Sequence, residues 1–96
     1  MRVVFEPQAE DEILEAATYY LERSAEAAER FGNDVAALIE LLLQFPGVGS
    51  PMKHGARRVL FSNFPCQCVY RIEGDEIRVY AVAHLKRKPS YWTGRL

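Results

Sequence analysis

The spacing of apolar residues changes once along this chain. In residues 9–45 they recur every three or four positions, as on one face of a helix, whereas in residues 57–84 they mostly alternate with polar residues, as in strands. A run of helices followed by a run of strands predicts an α+β fold, with the helices packed on a mostly antiparallel sheet. With 96 residues the chain has room for one domain, taken as residues 1–96.

The first half predicts a strand and then a helical hairpin. Residues 2–5 are apolar and rich in valine, which favours a strand, and Pro7 suits the first turn of a helix because its missing N–H is not needed there. Ser24 is the predicted N-cap of a second, antiparallel helix, which Pro46-Gly47 ends. The helical faces predicted to meet the sheet are Ala9, Ile13, Ala16, Ala17 and Tyr20, then Ala28, Phe31, Val35, Leu38, Leu42 and Phe45.

The second half predicts a loop and three antiparallel strands. Residues 46–56 contain three glycines and two prolines, which indicates a loop. Residues 57–61, 66–72 and 76–84 are the predicted strands, and residues 73–75 form the tight turn between the last two.

Alternation along the strands assigns their side chains to two faces of the sheet. Ile77, Val79, Ala81 and Ala83 are predicted to face the helices. The opposite face should be a solvent-exposed groove, because helices are available to cover only one side. The side chains assigned to that groove include Arg71, Arg78, Tyr80, Val82 and His84.

Charge is distributed unevenly along the chain, although the net charge is only -1. Residues 1–44 contain ten acidic and three basic residues, whereas residues 45–96 contain nine basic and three acidic residues. A basic half fits a polyanion or an acidic partner. The other interpretation is that the acidic helices and the basic strands attract each other.

Polar and aromatic residues follow the last predicted strand. His84, Arg87 and Tyr91, with neighbouring lysines, are residue types that could supply the base, the acid and the cations needed to cleave RNA through its own 2′-hydroxyl. A solvated basic rim that binds an acidic partner would use the same residue types, so the pattern leaves both open. Tyr91 and especially Trp92 are interpreted as anchors for the tail rather than as a base-stacking surface.

Other classes of site and location have little support in the sequence. Cys66 and Cys68 have a spacing that rarely allows a disulfide, so they are interpreted as reduced thiols of a cytoplasmic protein. The histidines and cysteines match no common set of metal ligands, and no metal or cofactor is expected. No apolar run approaches the roughly 20 residues of a membrane span, and no secretory signal is recognisable.

A series of short motifs follows in order along nearly the whole chain. They are Phe5-x-Pro7-x-Ala9-x-x-Glu12, Tyr19-Tyr20, Phe31, Pro46-x-x-Gly49-x-Pro51, Gly55-x-Arg57-Arg58, Phe64-Pro65, Tyr70-Arg71-Ile72 and Ala81-Val82-Ala83-His84-x-x-Arg87-x-Pro89-x-Tyr91-Trp92. In this order the motifs resemble the RelE/ParE superfamily of bacterial toxins. The resemblance implies a strand, a helical hairpin and an antiparallel sheet. It also implies the toxin of a type II toxin–antitoxin module, neutralised by a small antitoxin that wraps across it.

Two activities occur within the superfamily that the chain resembles. RelE-like members cleave mRNA in the ribosomal A site, whereas ParE-like members inhibit DNA gyrase and are not nucleases. The RelE-like pattern has an arginine early in the second sheet strand, where this chain has Gln67, and lysines on the preceding strand, where it has Arg57 and Arg58. Arg87 matches the arginine after the last strand, and Tyr91 is the nearest match to a following tyrosine. The missing cation at Gln67 favours a ParE-like member.

The resemblance therefore implies a ParE-like toxin that inhibits DNA gyrase by binding, with a cognate antitoxin as its partner. One alternative is a ribosome-dependent mRNA endonuclease, in which the catalytic residues would be His84, Arg87 and Tyr91. Another is an inactive structural or stabilising member of a toxin–antitoxin complex. The residues predicted to bind the target are Arg57, Arg58, Arg71, Arg78, Lys86, Arg87 and Lys88.

Overall fold

Two helices pack on a five-stranded sheet in the computed structural model of the protein, which describes residues 1–88 and 90–96. The sheet order is β1-β5-β4-β3-β2, with β1 parallel to β5 and the other neighbours antiparallel, so the predicted α+β class is confirmed. The elements are β1 (Arg2–Phe5), α1 (Pro7–Leu21), α2 (Ala25–Gln44), β2 (Ser50–Pro51), a short 3₁₀ turn (Lys53–Gly55), β3 (Arg57–Leu60), β4 (Cys66–Glu73), β5 (Glu76–His84) and α3 (Ser90–Thr93).

The helical hairpin begins where the local signals predict. Pro7 is the first residue of α1, and the Ala27 N–H donates to Ser24 Oγ at 2.9 Å, as expected of an N-cap. Phe45 is a correction, because it lies past the end of α2 and its side chain is 59% exposed. No helix in the described ranges combines the length and the apolar character needed to cross a membrane.

Aromatic rings form the centre of the core between the hairpin and the sheet. Phe31 of α2 is 1% exposed and stacks on Phe61, with ring centroids 5.8 Å apart. Its ring also meets those of Phe64 and Tyr20, each at 5.3 Å between centroids. Pairs of this kind add about 0.5–1.5 kcal/mol beyond the area they bury, so this cluster fixes how α1, α2 and the loop before β4 meet.

The loop that precedes β3 is more ordered than its composition predicts. It contains β2 and the 3₁₀ turn, which the sequence analysis missed because a two-residue strand leaves no alternation to detect. Fully buried Tyr70 holds this loop, since its hydroxyl donates to the Pro46 carbonyl at 2.6 Å and accepts from the Gly49 N–H at 2.9 Å. A Cβ on Gly49 would lie 2.9 Å from the Tyr70 ring, so the approach requires glycine.

An irregularity interrupts the pairing of β4 with β5. Val69 pairs with Ala81, but the next residue on β4, Tyr70, pairs with Val79, which leaves Tyr80 as an extra residue on β5. A bulge of this kind shifts the alternation of side chains by one residue, so that positions beyond it exchange faces.

The predicted faces of β5 are therefore wrong beyond the bulge. Val82 packs in the core beneath the helices, whereas Ala81 and Ala83 belong to a second cluster on the opposite face of the sheet. His84, two residues after Val82, lines the same pocket as Val82 beside α1. It does not share a face with Arg71 and Arg78.

The opposite face of the sheet is not the solvent-exposed groove that was predicted. The C-terminal tail crosses it, and Trp92 is 1% exposed in a cluster with Ala56, Val69, Ala81 and Ala83. The interpretation of Trp92 as an anchor is confirmed. The sheet thus has a helical layer on one side and the tail on the other.

Candidate functional site

A pocket of about 630 Å³ opens between α1 and the C-terminal end of β5. Its apolar lining includes Ala16, Tyr20, Phe64 and Val82, which α1, the loop before β4, and β5 contribute. β1 pairs with β5 only from Glu76 to Val79, so Val82 and His84, which line the pocket, lie in the part of β5 that β1 does not reach.

The three residues predicted for catalysis lie around this one pocket. His84, Arg87 and Tyr91 all line it. The Arg87 guanidinium lies over the Tyr91 ring, 3.9 Å from its centroid. His84 Nδ1 accepts a hydrogen bond from the Lys86 N–H at 3.1 Å, so the neutral ring carries its proton on Nε2. The bulge in β5 is what brings His84 to this side of the sheet.

Glu12 of α1 is the most connected polar group of the pocket, and the sequence analysis missed it. Its Oε1 accepts from the Val82 N–H at 3.0 Å and from Arg95 Nη1 at 2.9 Å, while Oε2 accepts from the Tyr91 hydroxyl. Arg95 Nη1 also donates to the Tyr80 carbonyl at 3.1 Å. The sequence feature that could have indicated Glu12 is its position three residues after Ala9, on the same face of α1 as that buried residue.

Tyr91 is held in its neutral form. Burial, then the hydrogen bond to Glu12 and the charge of that carboxylate, raise the pKa of Tyr91 to about 12. At neutral pH its hydroxyl is therefore protonated and already donates to Glu12, which makes it a poor general base.

Two of the predicted target-binding arginines are engaged in contacts within the fold. Arg57 Nη1 donates to the Gly49 carbonyl at 2.8 Å and so holds the loop before β3. Arg71 pairs with Glu73 at 3.0 Å and also donates to an oxygen of Leu96 at 3.3 Å, at the end of the tail. Both side chains therefore stabilise the structure of the sheet.

Arg78 is likewise part of an internal network. It pairs with Glu76 at 2.8 Å and with Glu6 at 3.4 Å. Within the part of the chain that the structure describes, the other predicted cations form no ion pair and are exposed. They are Arg58 on β3 and Lys86, Arg87 and Lys88, which lie in residues 85–88 and are called the basic turn below.

Although the preceding residue, Cys66, lines the pocket, Gln67 does not. Its side chain is 3% exposed, and its Oε1 has no hydrogen-bond partner among the described residues, as is also true of Trp92 Nε1. The position at which a RelE-like member would have a phosphate-binding arginine is therefore buried and neutral here.

Both cysteine side chains are buried and free, which agrees with their interpretation as reduced thiols. Burial raises the pKa of Cys68 to about 12 and also raises that of Cys66, which lines the pocket. Both therefore stay protonated at neutral pH and are poor nucleophiles. No group of three or more histidine, cysteine or acidic side chains in the described ranges is arranged to hold a metal ion.

Comparison with known proteins relates this chain to a toxin family. The profile of the family described as "ParE toxin of type II toxin-antitoxin system, parDE" matches residues 3–89. A solved structure titled "Chromosomal ParDE TA system from P. aeruginosa" has the same fold, with a TM-score of 0.77 and 20% identity over 88% of this chain and 95% of that chain. A search of curated proteins found no match. Since the family profile spans nearly the whole sequence, the chain belongs to the ParE toxin family of type II toxin–antitoxin systems.

Proposed function

We propose that this toxin inhibits DNA gyrase by binding it and that a cognate antitoxin neutralises the toxin. The observation that carries the proposal is the contrast between the basic turn and the other groups that RNA cleavage would need. Lys86, Arg87 and Lys88 are exposed, whereas the Tyr91 hydroxyl already donates to Glu12 and neutral Gln67 is buried where a RelE-like member would have a further cation. Gyrase is the target that the resemblance to ParE-like members implies.

The polar groups of the pocket support binding rather than catalysis. The Tyr91 hydroxyl donates to Glu12 and keeps its proton at neutral pH, and His84 Nδ1 accepts from the Lys86 N–H. Outside the pocket, buried Gln67 offers no positive charge to a phosphate. A nuclease would have to break the hydrogen bond between Tyr91 and Glu12 before Tyr91 could transfer a proton to or from a phosphodiester.

The target-binding surface consists of the basic turn, with Arg58 as an additional exposed cation. Exposed charges of this kind steer association and set the orientation of a partner. The remaining predicted cations act indirectly, because Arg57, Arg71 and Arg78 hold the strands and the tail that support the turn.

The antitoxin occupies the pocket and the adjoining face of α1. Tyr19 lines the pocket and is 50% exposed, and Leu14, which is 64% exposed, shares a neighbouring shallow depression with it, so α1 presents apolar side chains beside the pocket opening. A helix or an extended segment of the antitoxin would bury these side chains and insert one apolar side chain into the pocket. Acidic residues in that segment would meet Arg23 and Arg87 at its rim.

One observation favours the nuclease alternative. His84, Arg87 and Tyr91 all line a single pocket. A base, an acid and a cation around one cavity are the groups that a nuclease would use.

Induction of the lone chain in bacterial cells distinguishes these functions. We expect growth arrest with a DNA-damage response and filamentation, intact mRNA, and recovery when the cognate antitoxin is co-expressed. Breaks in mRNA at codon-spaced positions that disappear in His84→Ala or Tyr91→Phe would replace the proposal with the nuclease. Harmless expression at a high level would instead indicate the inactive member.

A further inference from the structure

Glu12 connects three parts of the fold that are distant in sequence. From α1 it binds the backbone of β5 at Val82, the hydroxyl of Tyr91 and the guanidinium of Arg95, which lie 70, 79 and 83 residues away. The side chain of Glu12 is 14% exposed and that of Arg95 is 16% exposed, so this ion pair is mostly shielded from water. Removing one member of such a pair leaves the other charge uncompensated.

The contacts of Glu12 extend to the basic turn through Tyr91. The Tyr91 ring, fixed at its hydroxyl by Glu12, lies beneath the Arg87 guanidinium at 3.9 Å and also contacts Arg95 at 5.0 Å. A cation over an aromatic face is attracted by the ring, and the attraction strengthens when water is excluded. The orientation of Arg87 therefore depends on where Glu12 holds Tyr91.

The backbone of the turn is held by hydrogen bonds, whereas the Arg87 side chain makes no hydrogen bond or ion pair within the described residues. The Leu85 N–H donates to the Pro65 carbonyl at 2.9 Å and the Arg87 N–H to the His84 carbonyl at 3.0 Å. The Lys86 N–H donates to His84 Nδ1 at 3.1 Å, and the Lys88 carbonyl accepts from the Tyr91 N–H at 3.2 Å. An arginine side chain has several rotatable bonds, so a surface that orients it before binding reduces the entropy lost on association.

We propose that Glu12 is a positioning residue for target binding. It fixes Tyr91 and thereby orients Arg87 of the basic turn. This inference rests on the proposed function, in which the basic turn contacts the target. Glu12 is a largely shielded acid of α1 and lies outside the basic turn. It would nevertheless contribute to the affinity for the target.

The test compares Glu12→Gln with Glu10→Gln, a matched control on the same helix. Glu10 is exposed, and its side chain makes no hydrogen bond or ion pair within the described ranges. Affinity for purified DNA gyrase is measured for each variant alone and combined with Arg87→Ala. Acrylamide quenching of Trp92, the one tryptophan in the sequence, reports separately on how firmly the tail is held.

Glu12→Gln is expected to weaken gyrase binding about tenfold, which corresponds to roughly 1.4 kcal/mol, and Tyr91→Phe should weaken it similarly. In the Arg87→Ala background, Glu12→Gln should cause no further loss, because its effect passes through Arg87. An equal loss in both backgrounds, or an affinity like that of Glu10→Gln, would overturn the inference.

The fluorescence measurement separates failure of this inference from failure of the proposed function. If the unmodified protein does not bind gyrase, the proposed function is wrong. Whether Glu12 fixes Tyr91 is then judged only from the acrylamide quenching of Trp92 fluorescence. Quenching that increases in Glu12→Gln and Tyr91→Phe but not in Glu10→Gln supports it. Equal quenching in all of these proteins contradicts it.

Discussion

Replacing Trp92 with alanine is expected to lower the free energy of unfolding by about 3–5 kcal/mol, the usual range for a buried aromatic residue in a core. Trp92 is 1% exposed and packs on Ala56, Val69, Ala81 and Ala83. Three of these four neighbours are alanines, whose short side chains cannot move to fill the space left by the indole, although the partly buried Met52, Tyr91 and Leu96 also pack against this cluster. Part of the cavity would therefore remain, and the tail would lose its anchor.

Denaturant titration of the purified protein measures this loss, with Leu85→Ala as the control. Leu85 precedes Trp92 in the same C-terminal segment and is 46% exposed, so its truncation should change stability by less than about 1 kcal/mol. Equal, small effects of the two substitutions would show that the tail does not belong to the core.

Arg87→Ala is expected to reduce affinity for the target by roughly 30-fold, which corresponds to the 2 kcal/mol or more lost when an arginine important for binding is truncated. Lys86→Ala should act in the same direction but less strongly, because an exposed lysine contributes mainly to steering. The free energy of unfolding should fall by about 1 kcal/mol or less, since Arg87 is exposed and its side-chain contact is with the Tyr91 ring.

The matched control for these substitutions is Arg30→Ala. Arg30 is an exposed cation on α2, where alanine is a good helix former. Growth inhibition and melting temperature are measured for each variant. A large fall in melting temperature with unchanged growth inhibition would show that the basic turn is structural and that the target binds elsewhere.

The helical hairpin could be predicted because its signals are local. Pro7 at the start of α1, the hydroxyl of Ser24 at the start of α2 and the apolar stripes each depend on residues within one or two turns of a helix. The strands β3, β4 and β5 were also predicted, since alternation persists over most of each.

The faces of β5 could not be predicted beyond Val79. The bulge at Tyr80 depends on how β4 and β5 pair, and neither strand shows it alone. One extra residue reversed the assignments of Ala81, Val82 and Ala83, and it also placed His84 beside α1 rather than next to Arg71.

The connection between α1 and the tail was beyond sequence reasoning for a different reason. Glu12 meets Tyr91 and Arg95 across 79 and 83 residues, and a single glutamate in a helix predicts no specific partner. The sequence also did not predict that the tail covers the sheet, because a four-residue helix such as α3 has too few positions to show a buried face. Only the aromatic pair Tyr91 and Trp92 indicated an anchor.

Supercoiling of relaxed plasmid by purified DNA gyrase is the most direct measurement of the proposed activity. The toxin should inhibit the reaction, the cognate antitoxin should restore it, and Arg87→Ala should require roughly 30-fold more protein for the same inhibition. Glu10→Gln should inhibit as well as the unmodified toxin. Full supercoiling at saturating toxin, together with codon-spaced cleavage of mRNA on ribosomes, would contradict gyrase inhibition and identify a nuclease.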